Sequence, residues 1–380
     1  MKKVKYFISA GSLALVLLSC EKNVQDSNSA LALKIENNSS AKGTPGYVYT
    51  LNNQAVNKVM AFSRDAAGHL QYVAAYATGG AGTAMGLGSQ GALCYSEAYN
   101  VVLAVNPGSN SVSSMSMSGT GLQQISTVAS GGSVPISVTT YNDLVYVLNG
   151  GGSGNISGFR VSADGHLTAI ANSTHALSSG AAGPAQVSFV NGGKVLVVTE
   201  KATNLITTFT VNGSGVPASM TVTTSAHPTP FGFAEGKDGI IYVSEAAGGM
   251  PGQSGVSAYY VADNGMVTHT GGPALTGQTA ACWVVTNNNG KYVYSTNTGS
   301  NTVSSFATGK AGEISVLSAV AATTGTTPID AAMSNNSRYL YVLNATSGNI
   351  GGYQVHNDGS LSHNGSAGSL PSGTVGMIAK

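Results

Sequence analysis

Short runs of β-branched and aromatic residues recur seven times along the chain, and each run ends in Asn or Glu. The runs are YVYTLN (47–52), VVLAVN (101–106), LVYVLN (144–149), VLVVTE (195–200), IIYVSE (240–245), YVYSTN (292–297) and YLYVLN (339–344). Their last residues lie 43 to 54 positions apart. A repeat of this length that is rich in strand formers is typical of a β-propeller, whose units bury their faces only against one another. Seven repeats therefore predict seven blades.

Two further patterns complete each repeat. A β-branched residue follows each run and is itself followed, three positions later, by an aromatic residue or Met: Val59/Phe62, Val112/Met115, Ile156/Phe159, Ile206/Phe209, Val256/Tyr259, Val303/Phe306 and Ile350/Tyr353. A Gly turn then leads into another apolar residue, as at Gly68 and Gly165. Before each run lies a segment that often opens with Pro, which a strand tolerates at its first position. The pattern predicts four antiparallel strands per blade, which we name inner, signature, third and outer.

The two ends of the repeat region are complementary, since one lacks an inner strand and the other has an additional one. The first unit begins at its signature strand with Tyr47 and has no inner strand before it. The last residues, Gly373 to Ala379, align with the inner-strand segment Gly325 to Ala331 but have no signature strand after them. We therefore predict that the C-terminal strand completes the first blade, which removes a free sheet edge.

Composition agrees with an all-β protein and excludes one class of partner. Only 8% of the 380 residues are charged, and Gly, Ser, Thr, Asn and Val dominate. The formal net charge is +1, and the only arginines are Arg64, Arg160 and Arg338. Because no basic stripe exists to hold a phosphate backbone, nucleic acid is not expected as a partner.

The N-terminus predicts export and lipid anchoring. Three lysines precede an apolar stretch, Tyr6 to Leu18, that is too short to span a bilayer, and Leu17-Leu18-Ser19 leads directly into Cys20. This resembles a bacterial lipobox, so we interpret residues 1–19 as a lipoprotein signal peptide and Cys20 as the site of lipid attachment. The polar residues 20–45 are interpreted as the lipidated Cys and a flexible tether, and residues 46–380 as the propeller. A lipid-anchored protein of the bacterial cell envelope, with the outer membrane favoured, is expected.

The remaining cysteines, Cys94 and Cys282, fall in repeats far apart around the ring. Although an exported protein can form disulfides, this separation is too great for one. We predict two buried free thiols.

The ends of the signature strands are the candidate ligand site. In a four-stranded meander they lie at the same face as the loops that enter the inner strands, so we expect Asn52, Asn106, Asn149, Glu200, Glu245, Asn297 and Asn344 to surround one mouth of the central channel. Asn is also a common turn residue, so the five asparagines have a structural alternative. Glu200 and Glu245 depart from this pattern and are candidate catalytic residues.

Three more side chains join this candidate site. His227 precedes an inner strand on the same face and could act as a general base beside a carboxylate, although a loop His is also common on surfaces. Asp330 lies within an inner strand, and Lys201 is the only cation near the predicted mouth. The sequence contains no metal-ligand cluster of recognised spacing, no phosphate-binding glycine motif and no Gly-x-Ser-x-Gly elbow, so no metal or cofactor is expected.

The signature runs, the V-x-x-F pairs and the turn Asp65-Ala66-Ala67-Gly68-His69-Leu70 together resemble the YVTN-type repeats of the bacterial lactonase propellers. The chain is similar in residues 47–380 to 6-phosphogluconolactonase and carboxymuconate-cyclising enzymes. The resemblance implies a lactonase fold, and active members carry His and Arg at inner-strand openings, commonly Pro-Arg-His. Here the openings read Gly183-Pro184-Ala185-Gln186 and Pro230-Phe231-Gly232. An Asn-Glu-Leu motif of the family survives only in part, at Glu245.

Two functions follow, and both fit a monomer. The first is a lactonase that hydrolyses a neutral or weakly charged cyclic ester at the channel mouth, with His227 as base and Glu200 or Glu245 orienting it or positioning water. The second is a non-catalytic propeller that binds a glycan or a protein partner, which the missing cations favour.

Overall fold

The structure, a computed structural model, describes residues 45–119 and 121–380. The predicted signal peptide (1–19), the lipid-attachment residue Cys20 and nearly all of the tether (20–45) lie outside the described residues. The domain boundaries proposed for this N-terminal part therefore stay predictions.

Twenty-nine strands, numbered β1 to β29 in chain order, build the described part of the chain. The inner strands are Leu93–Ser96 (β4), Pro135–Tyr141 (β8), Pro184–Val190 (β13), Pro230–Glu235 (β17), Ala281–Thr286 (β21), Pro328–Met333 (β25) and Val375–Ala379 (β29). The signature strands are Gly46–Leu51 (β1), Val101–Asn106 (β5), Leu144–Asn149 (β9), Val195–Glu200 (β14), Ile240–Glu245 (β18), Tyr292–Asn297 (β22) and Tyr339–Asn344 (β26).

The other two positions of each blade follow the same order. The third strands are Lys58–Arg64 (β2), Ser111–Ser118 (β6), Asn155–Val161 (β10), Leu205–Thr210 (β15), Gly255–Val261 (β19), Thr302–Thr308 (β23) and Asn349–Val355 (β27). The outer strands are Leu70–Ala77 (β3), Gly121–Ala129 (β7), Leu167–Ala169 with His175–Ala176 (β11 and β12), Thr221–Thr224 (β16), Val267–Leu275 (β20), Ile314–Thr323 (β24) and Leu361–Gly368 (β28).

These strands form seven antiparallel sheets in the described residues, in the order inner, signature, third, outer. We number them as blades 1 to 7 from β1 onward. In blade 3 the outer position is divided between two short strands, which both pair with β10. Each inner strand packs against the inner strands of the two neighbouring blades, and the series closes through β29, which lies between β25 and β4. The predicted all-β, seven-bladed propeller is confirmed.

The first blade is completed by the end of the chain, as predicted. Strand β29 pairs antiparallel with β1, where Met377 lies opposite Thr50 and Ile378 opposite Tyr49. Backbone hydrogen bonds of 2.8 and 2.7 Å join Tyr47 and Lys380 in both directions. Paired residues of these inner and signature strands are 324 to 331 positions apart in sequence, and their shared sheet closes the ring.

Blades are tied together by the repeated Gly hairpins. The hydroxyls of Tyr146, Tyr294 and Tyr341, on signature strands, donate to the carbonyl oxygens of Gly215, Gly359 and Gly68 in the following blade. Those glycines have φ of 80 to 90°, a conformation that only Gly adopts easily. All seven V-x-x-F pairs are buried in the core between the sheets. The motifs that identify the repeat are therefore packing and turn residues.

The two thiols are free, as predicted. Cys282 is buried and Cys94 is partly buried, and burial raises the pKa of the Cys282 thiol to about 12 and that of Cys94 to about 11. Both are thus protonated and poor nucleophiles at neutral pH. No helix within the described residues is long and apolar enough to cross a bilayer.

Candidate functional site

The seven residues that end the signature runs lie inside their own blades. Their exposed fractions range from 0 to 8%. Each one hydrogen-bonds to the turn that follows or to the start of the third strand: Asn52 to Lys58, Asn106 to Ser111, Asn149 to Asn155, Glu200 to Thr207, Glu245 to Ser257, Asn297 to Thr302 and Asn344 to Asn349. This geometry supports the turn-forming alternative for the five asparagines. Ligand binding by these residues stays a prediction.

Glu245 is fully buried and accepts four hydrogen bonds. Its Oε1 receives the Ser225 hydroxyl at 2.7 Å, the Tyr259 hydroxyl at 2.7 Å and the His227 backbone N–H at 3.0 Å. Its Oε2 receives the Ser257 hydroxyl at 2.6 Å. Burial and then the nearby Glu245 carboxylate raise the pKa of Tyr259, so its phenol stays protonated and remains a donor. The carboxylate thus fastens the loop entering blade 5 to the third strand of that blade.

Glu200 likewise connects the loop entering blade 4 to the third strand of that blade. Its Oε1 accepts from the Ser178 N–H at 3.1 Å and the Thr207 hydroxyl at 2.8 Å, and its Oε2 accepts from the Thr203 and Ser178 hydroxyls. Every group that faces either carboxylate is a donor. This explains why Glu replaces Asn here, because an amide would turn an NH2 group toward some of those donors.

The imidazole of His227 makes no hydrogen bond to either glutamate within the described residues. Its Nε2 lies 2.8 Å from the Gln253 carbonyl oxygen, while only its backbone N–H reaches Glu245. The structure thus brings His227 and Glu245 together through the main chain and places Glu200 in the neighbouring blade. A catalytic role for these three residues stays a prediction, and in this geometry the base and the carboxylate are not paired.

The channel end where the inner strands begin is crossed by a loop from blade 1. The segment 84–92, which we call the plug, is the last part of the connection from β3 to β4. Ser89 donates to the Ile136 carbonyl of blade 3 at 2.8 Å and accepts the Trp283 indole N–H of blade 6 at 2.9 Å. The Gln90 N–H donates to the Ala185 carbonyl of blade 4 at 3.0 Å. A segment that touches inner strands on several sides of the ring occupies the channel between them.

Gln90 fixes the plug with a two-way amide pair. Its Nε2 donates to the Val284 carbonyl at 2.8 Å, and its Oε1 accepts the Val284 N–H at 3.0 Å. Blade 5 makes room for it, since a Cβ on Gly232 would lie 2.0 Å from the Gln90 Oε1. Gly232 is therefore a glycine at a close approach. The space that a side chain at this position would need is occupied by Gln90 of the plug.

Lys201, the cation predicted at this mouth, holds the plug as well. Its Nζ donates to the Gly88 carbonyl and lies 4.8 Å from the centre of the Phe231 ring, which in turn packs on Trp283. Burial lowers the pKa of the Lys201 ammonium. The Lys201 ammonium therefore contacts the plug, and within the described residues it makes no ion pair with Glu200 or Glu245.

Asp330 is 2% exposed in the inner strand of blade 7. Its Oδ1 accepts the Ala331 N–H at 2.8 Å, and its Oδ2 has no hydrogen-bond partner among the described residues. Burial raises the pKa of this carboxyl well above its usual range, and backbone N–H groups of Ala331, Gly376 and Met377 oppose that shift. A ligand role for Asp330 stays a prediction.

Asp330 should make stability depend on pH. A carboxyl whose pKa is raised in the folded state stabilises that state fully below its unfolded pKa, near 4, and this contribution is lost as pH rises toward the raised value. The slope is at most about 1.4 kcal/mol per pH unit. We expect Asp330→Asn to gain stability over the wild type as pH rises from 4 to 7, measured by urea unfolding. The exposed Asp263→Asn is the control, and parallel wild-type and Asp330→Asn curves would contradict the prediction.

A cavity of about 410 Å³ lies at the opposite end of the channel, where three inner strands of adjacent blades end. Its walls come from the ends of β25, β29 and β4, from the residues Asn335, Lys380 and Glu97 that follow these strands, and from the signature strand β1. The lining residues are Tyr49, Tyr95, Glu97, Ala331, Ala332, Met333, Asn335, Met377, Ile378, Ala379 and Lys380. None of the site residues predicted from the sequence lines this cavity, because its walls come from strand ends that no motif marks. Within residues 45–119 and 121–380, no group of three His, Cys, Asp or Glu side chains could hold a metal ion.

The chain is similar to a known protein family in sequence and to solved structures in fold. The family described as "Lactonase, 7-bladed beta-propeller" matches residues 104–231, 217–328 and 265–376, which together cover well over half of the chain. The chain belongs to the lactonase family of seven-bladed β-propellers. No curated protein matches this lactonase-family chain significantly in sequence.

Solved structures agree with the lactonase-family fold. A candidate 6-phosphogluconolactonase of Bacteroides fragilis is similar with a TM-score of 0.70 and 17% identity, over 87% of this chain and 97% of that one. One of Bacteroides uniformis has a TM-score of 0.70 and 19% identity, over 87% and 99%. The periplasmic gluconolactonase of Pseudomonas aeruginosa has a TM-score of 0.68 and 15% identity, over 88% and 99%. At these identities the likeness concerns the fold alone.

The lactonase-family chain departs from the Pro-Arg-His pattern at the plugged mouth. The opening of β17 has Phe231 and Gly232 in those places, where the ring packs on Trp283 and the glycine admits Gln90. At the opening of β13, Gln186 is turned into a two-way amide pair with the Phe233 backbone, at 3.0 and 2.7 Å. Positions that would carry cations thus hold packing residues. The sequence shows that the cations of the family pattern are replaced at these positions. It does not show that the plug fills the mouth.

Proposed function

We propose that this lactonase-family propeller is a small-molecule-binding protein rather than a hydrolase at the plugged mouth. The single observation that carries this proposal is the plug. Gln90 and Ser89 fill the channel end at which catalysis was predicted, and Phe231 and Gly232 stand there in place of cations. A cavity lies at the other end of the channel and supports the proposal.

The second candidate function is lactone hydrolysis at the predicted mouth, which family membership favours. It would require the His227 imidazole to leave the Gln253 carbonyl and a carboxylate to give up buried hydrogen bonds. Both carboxylates accept four hydrogen bonds each, so the cost would be several kcal/mol. The geometry therefore favours binding over turnover.

Measured lactone turnover distinguishes the two functions. We expect the purified protein to hydrolyse glucono-δ-lactone no faster than buffer does. The rate is measured by pH-stat titration, under conditions that limit spontaneous opening of the lactone ring. His227→Ala is the matched variant, since the side chain is partly exposed and contacts only a loop carbonyl. Saturable hydrolysis that disappears in folded His227→Ala would overturn the binding proposal and establish the lactonase.

We also propose that the chain is exported and anchored in the bacterial cell envelope through Cys20. Support comes from the sequence of residues 1–20, which has the basic, apolar and Ser-Cys segments of a lipoprotein signal. Acyl chains on one residue provide stable anchoring because each buried methylene contributes about 0.8 kcal/mol. Incorporation of labelled palmitate into the wild type, and not into Cys20→Ser, is the expected result; equal labelling of both would contradict it.

A further inference from the structure

The first unusual group of the cavity between β25, β29 and β4 is the hydroxyl of Tyr49. Its side chain is fully buried in β1 and lines the cavity, yet its hydroxyl has no hydrogen-bond partner among the described residues. A buried hydroxyl without a partner costs about 1–3 kcal/mol. Such a group is more easily explained if a ligand in the cavity completes its hydrogen bonding.

Lys380 carries the second unusual group. Its ammonium lies 3.6 Å from the centre of the Tyr95 ring and donates to the Tyr95 hydroxyl, which itself donates to Asn100 Oδ1 at 2.8 Å. An ammonium has three donors, so two are left for another acceptor. No ion pair joins Lys380 to a carboxylate side chain in the described part of the chain. Tyr95 thus positions a cation at the cavity, and this cation makes no ion pair with Glu97, the acidic residue of the same lining.

The remaining walls are apolar and adaptable. Met333, Met377 and Ile378 line the cavity together with three alanines. Methionine packs against rings of varied shape, and Tyr95 offers a flat aromatic wall. The volume, about 410 Å³, falls in the lower part of the usual range for small-molecule sites. The cavity therefore fits a compact ring rather than a chain of sugars.

We propose that this cavity binds a small monocyclic carboxylate, whose ring lies between Tyr95 and the methionines and whose carboxylate takes hydrogen bonds from Lys380 and Tyr49. The inference rests on the proposed binding function and names its site and ligand class. Burial, with a smaller contribution from neighbouring tyrosines, raises the pKa of Tyr49. Its hydroxyl is therefore protonated at neutral pH and can donate to a carboxylate oxygen.

Binding of benzoate to the purified protein, measured by isothermal titration calorimetry, tests this assignment. We expect saturable binding of benzoate, with benzyl alcohol and benzylamine each at least about tenfold weaker, because a charge-assisted hydrogen bond is lost or reversed. Glucuronate is the comparison for a polar ring acid and should bind more weakly than benzoate, since the walls are apolar. Equal or tighter binding of benzylamine would assign the site to cations through Glu97 and overturn the proposal.

Matched variants locate the binding. Lys380→Gln and Tyr49→Phe should each weaken benzoate binding, the first by about tenfold or more. Lys310→Gln and Tyr260→Phe, in exposed positions of blades 6 and 5, should leave it unchanged. Melting curves show that each variant is folded, and Tyr49→Phe removes only an unpartnered hydroxyl.

Absence of saturable benzoate and glucuronate binding, or full affinity in Lys380→Gln, would overturn the cavity assignment. Neither outcome bears on lactone turnover, which alone decides between binding and hydrolysis at the plugged mouth. The two proposals can therefore fail separately.

Discussion

Deletion of residues 371–380 is expected to abolish cooperative folding of the propeller. The deletion removes β29, the inner strand of blade 1, and leaves β1 with an unpaired edge. It also uncovers Tyr49 and Leu51, which are fully buried, and removes Val375 and Met377 from the core. Each buried apolar side chain contributes about 2 kcal/mol, so the summed loss is comparable with the whole stability of a typical domain. Differential scanning calorimetry should show no cooperative transition.

A peptide control separates loss of the strand from a general effect of truncation. Adding a synthetic peptide of residues 371–380 to the truncated chain should restore part of the transition, because it can pair with β1 between β25 and β4. A peptide of the same composition in scrambled order should not. A truncated chain that melts at the wild-type temperature would show that the ring does not depend on this closure.

Replacement of Glu245 by Gln is expected to destabilise the fold by about 3 kcal/mol. The carboxylate accepts hydrogen bonds from Ser225, Tyr259, Ser257 and the His227 backbone, and it is fully buried. Gln keeps the shape but turns an NH2 group toward at least one donor, so buried donors lose their acceptor. Urea unfolding at pH 7, followed by fluorescence, measures the change in free energy.

The exposed Glu97→Gln is the matched control and should change stability by less than about 0.5 kcal/mol. The result also bears on the role of Glu245. A catalytic carboxylate that is not needed for folding would lose activity at unchanged stability, whereas the buried network predicts lost stability. Wild-type stability in Glu245→Gln would show that these hydrogen bonds do not hold the entering loop.

Much of this fold was predictable because its signals are local. Strand formers recur at a fixed period, and each V-x-x-F pair and Gly hairpin repeats the same packing and the same positive φ. Ring closure was predictable as well, since an incomplete first repeat and a surplus final strand can satisfy only each other. The free thiols followed from the same period, because it places Cys94 and Cys282 in distant blades.

The candidate site was less predictable because it depends on contacts between distant segments. The residues at the ends of the signature runs could be identified, and so could their unusual glutamates. Their hydrogen bonds to Ser178 or Ser225, which come from the loop before the blade, could not. The plug shows no repeat signal, since Gln90 belongs to a linker and bonds to Val284 at a separation of 194 residues.

The sequence by itself determined the number of blades, the strand order within them and the closure by β29, since repeated local patterns specify strands and turns wherever they occur. Only the tertiary structure decided what fills each end of the channel. The plug with Gln90 at one end, and the cavity with Tyr49 and Lys380 at the other, are assembled from residues that no period relates. They meet because the ring brings seven inner strands around one axis, which is a property of the closed fold and of no single repeat.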